Sequence, residues 1–245
     1  MNEVMSQERH SIVKTTILSL APGLLILIFF VVAAPMATRL GFPSGIAIFV
    51  AIPLVLVPSE LGYLFVQGKK LNGRYSLKGV VSFRDKIPLR QYFVLVPALL
   101  IWCLFCFGFL SSKLDPVLLD SCFRWLPGWF LMGNLSQYSR LALLVSVALG
   151  FVFNGLIGPI VEEMYFRGYL LPRLAHFGGW GPLLNVVLFS LYHFFSPWQN
   201  ITRIIALLPY VYAVWWKRNI YIGIITHCAL NTIGMIMLLF TILKI

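Results

Sequence analysis

The sequence predicts an all-α fold: a polytopic integral-membrane helical bundle of about seven or eight transmembrane helices, with its polar site among the C-terminal helices. Three observations carry this. Hydrophobic residues make up 60% of the 245-residue chain and charged residues 11%, more apolar surface than a soluble domain of this length can hide. Mean hydropathy is +0.88. Apolar runs recur along the whole chain and leave no length for a large soluble domain. The net charge of +11 fits basic loops against anionic lipid, so the lipid bilayer rather than nucleic acid is the expected partner.

A span needs about 20 mostly apolar residues, which places helices near 16–38, 43–66, 91–112, 141–161, 182–196, 201–216 and 220–242. The first follows a polar start, Met1 to Lys14, and its apolar run Ile17–Ala34 exceeds the roughly 7–15 residues of a signal-peptide core. An uncleaved first span is expected, with Ala33-Ala34-Pro35-Met36-Ala37 the alternative cleavage region. The second leads into Gln67–Arg90, where Lys69, Lys70, Arg74, Lys78, Arg84, Lys86 and Arg90 face one acid, Asp85. The Lys/Arg bias makes this loop cytoplasmic. Seven spans then put the N-terminus and Lys217-Arg218 inside, and the C-terminus and the Ser111–Arg140 loop outside. The Arg124–Phe130 stretch of that loop reads as interfacial. After the fourth span, Gly158-Pro159 reads as a kink, and Glu162–Arg173 as a continuation beyond the membrane or a bend away from it. The fifth and sixth spans are short and polar-interrupted, so they are expected to be tilted or buried among the others. The seventh closes a single domain, 1–245. Cys103, Cys106 and Cys228 lie in apolar runs and read, with Cys122, as packing residues rather than a disulfide framework.

Only eight acidic residues occur, so two adjacent ones, Glu162 and Glu163, at the edge of an apolar segment pose a question. Glu163 and Arg167 are four apart and share a helix face, where an ion pair forms easily. Glu162 points about 100° away, free for another task. His193 stands in "NVVLFSLYHFF", inside an apolar helix and four residues after Phe189. His227 and Asn231 share a face in "ITHCALNTIG". Each alone is as consistent with a satisfied core residue as with a site. Together, three helices each bring costly polar groups into an apolar background. A carboxylate and imidazoles activate water, while His and Asn donate to an oxyanion.

The series Glu162-Glu163-x-x-x-Arg167, Phe189-x-x-x-His193 and His227-x-x-x-Asn231 resembles the CPBP family. This group of CAAX-protease and bacteriocin-processing proteins, also called ABI, includes type II CAAX prenyl endopeptidases. The resemblance spans about 145–236, the expected catalytic core. It implies a glutamic intramembrane endopeptidase in which Glu162 with His193 activates water and His227 with Asn231 forms the oxyanion hole. Glu163 and Arg167 would support the site, and Phe189 would orient His193. The implied substrate is a membrane-associated or lipidated, CAAX-type peptide or protein. Independently of the motifs, the Lys/Arg bias has Glu162 open toward the cytoplasmic side, and the compact size suggests a prokaryotic cell membrane. No cofactor is expected. Zinc on Glu162, Glu163, His193 and His227 is the lesser alternative, since no His-Glu-x-x-His occurs. The rival of another class is a non-enzymatic protein: an immunity factor, a scaffold, or a transporter with a Glu/His proton relay. Glu60 is expected near an interface or paired with a helix, and His10 and His176 read as ordinary loop residues.

Overall fold

The computed structural model describes residues 8–131 and 135–244. Positions 1–7 of the polar start, 132–134 of the Ser111–Arg140 loop and 245 lie outside the described residues. The helical rods are α1 (Ile12–Arg39), α2 (Ile46–Asn72), α3 (Leu89–Ser121), α4 (Arg140–Arg173), α5 (Trp180–Tyr192), α6 (Asn200–Lys217) and α7 (Ile220–Leu243). Five of them, α1 to α4 and α7, are long and apolar enough to cross a membrane. The expected short fifth and sixth segments correspond to α5, an apolar helix of 13 residues, and α6, which carries Arg203 and Pro209. An all-α membrane bundle is what the chain forms.

Small polar residues start the rods where the ladder leaves N–H groups free. The side chains of Ser11, Ser139 and Asn219 accept from the backbone N–H of Lys14, Ala142 and Ile222. Winding is wider, with i→i+5 bonds, over 52–61 in α2 and over 150–157 and 163–170 in α4. Pro159 has no N–H to donate, and the first wide stretch of α4 ends just before Gly158-Pro159. The winding changes at the position of the expected kink. Wide turns of this kind leave carbonyls open to side chains. Asn231 Nδ2 donates to Asn154 O at 2.9 Å and Asn185 Nδ2 to Phe166 O at 3.0 Å.

One expectation about α5 is corrected and one about α4 is sharpened. Glu162–Arg173 continues α4 as far as Arg173, with Tyr165, Phe166, Arg167, Tyr169 and Leu170 all buried in the bundle. The apolar helix expected to run through His193 stops at Tyr192, and His193 is its C-terminal cap residue.

The basic loop lies at one end of the rods. Asp85 N donates to Arg218 O, Ile220 N to Phe83 O and Ser82 N to Gly168 O. Arg218 Nε pairs with Asp85 at 3.1 Å. His10 joins this end, its N–H donating to Arg173 O. Its ring is fully buried and edge-on to Tyr169, at 5.7 Å, so it is no ordinary loop residue. At mid-height α1 comes close to α5: a Cβ at Gly23 would collide with the carbonyl of Tyr192.

Candidate active site

Glu163 is the hub of the polar cluster. It is fully buried and takes Tyr210 Oη at 2.8 Å and His227 Nδ1 at 3.0 Å on the same oxygen, Oε1. Its other oxygen, Oε2, pairs with Arg167 Nε at 3.5 Å, one helical turn on. Arg167 is equally buried and has no hydrogen-bond partner among the described residues. Its guanidinium is instead 4.0 Å from the Phe189 ring centroid and 5.1 Å from that of Tyr210, where aromatic faces attract a desolvated cation. Gly223 makes room for this cluster one turn before His227, since a Cβ there would collide with Glu163 Oε2.

Glu162 turns the other way. Its Oε2 is 3.8 Å from His227 Nε2, so the imidazole of α7 stands between the two carboxylates. A carboxylate without a proton only accepts. Nδ1 of His227 therefore carries the hydrogen toward Glu163, and Nε2 faces Glu162. His193 is placed by Phe189 twice over. Its Nδ1 lies 2.8 Å from Phe189 O, and the two rings meet edge to face at 4.9 Å. A carbonyl also only accepts, so Nδ1 holds the hydrogen and Nε2 keeps its lone pair. Glu162 and His193 are not within ion-pair distance of each other. Asn231 uses one amide N–H on Asn154 O and retains a second.

Glu162, His193, His227 and Asn231 line one cavity of about 620 Å³, with Phe189, Tyr192 and Arg203. Glu163 and Arg167 are not part of its wall; they are packed behind it. Among the described residues, no three His, Cys, Asp or Glu side chains group closely enough to hold a metal ion. The cavity extends away from the basic end. Its further lining includes Pro43, Gly45, Leu135 and Ile242, from the α1–α2 connection, the segment before α4 and the end of α7. Toward the basic end, buried Tyr165, Phe166, Arg167 and Tyr169 close it off. This packing turns the cavity, and Glu162 with it, away from the basic loop.

Sequence reasoning missed Tyr210, Tyr192, Arg203 and the carbonyl of Asn154. The two tyrosines sit in aromatic-rich apolar runs and share no helix with the carboxylates they approach, so no spacing marks them. Arg203 could have been flagged as a cation inside an apolar helix whose other one, Lys217, is at the very end. It is buried and donates to Ser196 Oγ at 2.8 Å, Gln199 Oε1 at 3.1 Å and Asn200 Oδ1 at 3.2 Å. These bonds fasten the α5–α6 connection that begins with His193. Glu60 was placed at an interface or beside a helix partner; it is fully buried, and neither oxygen has a hydrogen-bond partner among the described residues.

These features define a class: a helical membrane protein with a buried carboxylate–imidazole–amide site facing one cavity. Within that class, residues 144–233 match the family model described as type II CAAX prenyl endopeptidase Rce1-like, the CAAX-protease family that the motifs resemble. The match implies a protease with a protein substrate in a membrane setting. No curated protein and no solved structure matches the chain.

Proposed function

We propose that the protein is a glutamic-type intramembrane endopeptidase that cuts a membrane-associated peptide or protein without a metal. The observation that carries this reading is the convergence of Glu162, His193, His227 and Asn231, from three separate helices, on one cavity. Glu162, helped by the free Nε2 of His193, takes a proton from water as the water oxygen attacks the scissile carbonyl. The second amide N–H of Asn231 and Nε2 of His227 donate to the oxyanion. With Nδ1–H engaged by Glu163, donation from Nε2 requires the doubly protonated ring. Glu162 then returns its proton to the departing amine, leaving a carboxylic acid and an amine as products. Glu163, Arg167 and Phe189 hold the imidazoles in place.

The test compares peptide termini of membrane proteins from cells carrying the wild type or Glu162→Gln, with chelator treatment of the wild type alongside. Termini that appear only with the wild type and persist under chelation support the metal-free reading. Loss on chelation turns it to zinc. Identical termini in a well-expressed pair overturn proteolysis in favour of the scaffold or immunity reading.

The direction of the cavity bears on the substrate. A prenylated CAAX-type chain is presented from the cytoplasm, whereas the basic loop puts the cavity end outside by the Lys/Arg bias. We therefore favour a membrane-anchored peptide presented at the outer face. Leu40→Cys, near that end, and Tyr75→Cys, in the basic loop, both replace exposed residues. With the native cysteines removed, labelling of Leu40→Cys alone by an impermeant reagent on intact cells supports the outer-face substrate. Labelling of Tyr75→Cys alone restores the cytoplasmic, CAAX-type one.

A further inference from the structure

The proposed mechanism leaves one buried acid unused. Glu60 lies in the wide-wound stretch of α2, with no exposed surface and no hydrogen bond to either oxygen. An unpaired carboxyl in a membrane helix is expensive, and such groups mark function. Leu56, one turn earlier on the same face, lines the cavity, so Glu60 sits a turn deeper, beyond the cavity wall.

The wall at that point is Tyr192. Its ring is fully buried among Phe166, Phe189 and His193. Its hydroxyl has no closed hydrogen bond, yet it lies close enough to interact with both Glu60 and Glu162. The position is enforced from α1, where Gly23 lets the backbone of Tyr192 approach. The 52–61 stretch of α2 that carries Glu60 packs directly against 158–162 of α4, so three polar groups from α2, α5 and α4 come together. The charged and titratable groups that act on Glu60 or feel it are Glu162, Arg167, Tyr165 and Tyr192. The only cation among them, Arg167, is already paired with Glu163.

We propose that Glu60 and Glu162 share one proton across the Tyr192 hydroxyl, which makes Glu60 a positioning residue for the base. Two carboxyls this close in a low-dielectric interior do not both ionise. Glu162 has His227 beside it and Glu60 has no ion-pair partner among the described residues, so the proton of the pair sits on Glu60. Sharing the proton closes what the structure leaves open: the Glu60 O–H then donates to Tyr192 Oη, and the Tyr192 O–H to Glu162. Glu162 is then held as the ionised member, with its carboxylate aimed at the cavity. The role of Glu60 rests on reading Glu162 as the base; the sharing of the proton does not.

The experiment is an infrared titration of the carboxyl bands of the purified full chain in nanodiscs. It compares wild type with Glu60→Gln, Glu60→Asp, Tyr192→Phe and Glu162→Gln. A shared proton gives a two-step titration in the wild type, with steps separated by about one pH unit or more. Glu60→Gln and Glu162→Gln each leave a single step. Tyr192→Phe brings the two steps together, and Glu60→Asp restores the separation. A Glu162 step with the same midpoint whether residue 60 is Glu or Gln, and residue 192 Tyr or Phe, overturns the proposal. Tyr192→Phe keeps the ring and its packing, so a Glu60 variant that fails to fold does not remove the test. Cleavage of a quenched reporter peptide, built on a terminus that appears only with the wild type in cells, is measured against pH on the same samples, with Glu60→Gln expected to alter the shape of the profile and not only its height. A wild type that titrates in two steps but cleaves neither the reporter nor a cellular protein would retire the protease reading and leave the proton sharing standing.

Discussion

Helices α3 and α4 are near twins in sequence terms and opposites in the fold. They run 33 and 34 residues with similar hydropathy, yet 11% of the most apolar window of α3 is buried against 39% for α4. Phe93, Val94, Ile101 and Phe105 of α3 are more than half exposed, on a surface that suits lipid. Helix α4 carries both glutamates and Arg167 into the protein interior, with α2, α6 and α7 packed around it. Hydropathy measures what a helix tolerates; it does not tell whether lipid or protein will cover it. In a bilayer the distinction rests on packing and on polar groups that need partners, since lipid tails are as apolar as leucine.

The contrast is testable, and the largest effect is expected in the middle of α4. Arg167→Leu strips Glu163 of its cation inside the bundle. Loss of one partner of a buried pair costs about 3–5 kcal/mol, read as a lowered thermal midpoint of the detergent-solubilised protein. Adding Glu163→Gln should recover part of that loss. Wild-type stability in Arg167→Leu would mean that the pair contributes nothing, and the contrast with α3 would shrink to packing alone.

The basic end of α4 carries the next effect. Burial, reinforced by the charges of Lys14 and Arg173, lowers the pKa of His10 from 6.5 to about 4. The folded state therefore holds His10 neutral, and the unfolded chain binds the proton first. The resulting stability is fully present above about pH 6.5 and is lost as the pH falls from there through about 4. At most about 3 kcal/mol is at stake. Hydrogen exchange at residues 8–15 should accelerate across that window in the wild type and not in His10→Phe.

Close packing around the hub gives a smaller effect. Gly223→Ala puts a methyl against Glu163 Oε2, an overpacking expected to cost about 1–3 kcal/mol and to lower cleavage of the reporter through a displaced His227. An unchanged thermal midpoint would show that Glu163 can yield. The smallest effect is on α3, where Phe93→Leu and Ile101→Val should stay within about 0.5 kcal/mol. A larger loss would mean that this face is covered by protein, and the comparison would have to be redrawn.

Much of the candidate site was legible in the chain. Glu162, Glu163, Arg167, His193, His227 and Asn231 stand out because each is polar in an apolar run, and their helical spacing places Glu163 with Arg167 and turns Glu162 away. The cluster also contains groups that carry no such mark. Tyr210 is one of two tyrosines in "LLPYVYAVWW", and nothing in that run tells which meets Glu163. Glu60 is visible as a lone acid, but its neighbourhood with Tyr192 and Glu162 joins residues more than 100 positions apart. His10 looked like a loop residue because burial at a chain end depends on what docks there, here Arg173 and Tyr169.

What the sequence determined by itself is therefore what local chemistry dictates. Apolar length makes the helices, since a backbone in lipid must satisfy its own hydrogen bonds; spacing decides which side chains share a face; scarcity singles out the polar ones. Only the tertiary structure decided that α3 has its face outward and α4 is buried, that α5 stops at Tyr192 so that His193 caps it, and that the cavity runs away from the basic end. The physical reason is common to all three. Each depends on which helices pass within a few ångströms of one another, as at Gly23 and Gly223. Those approaches are set by packing between distant segments, which periodicity along one helix does not encode.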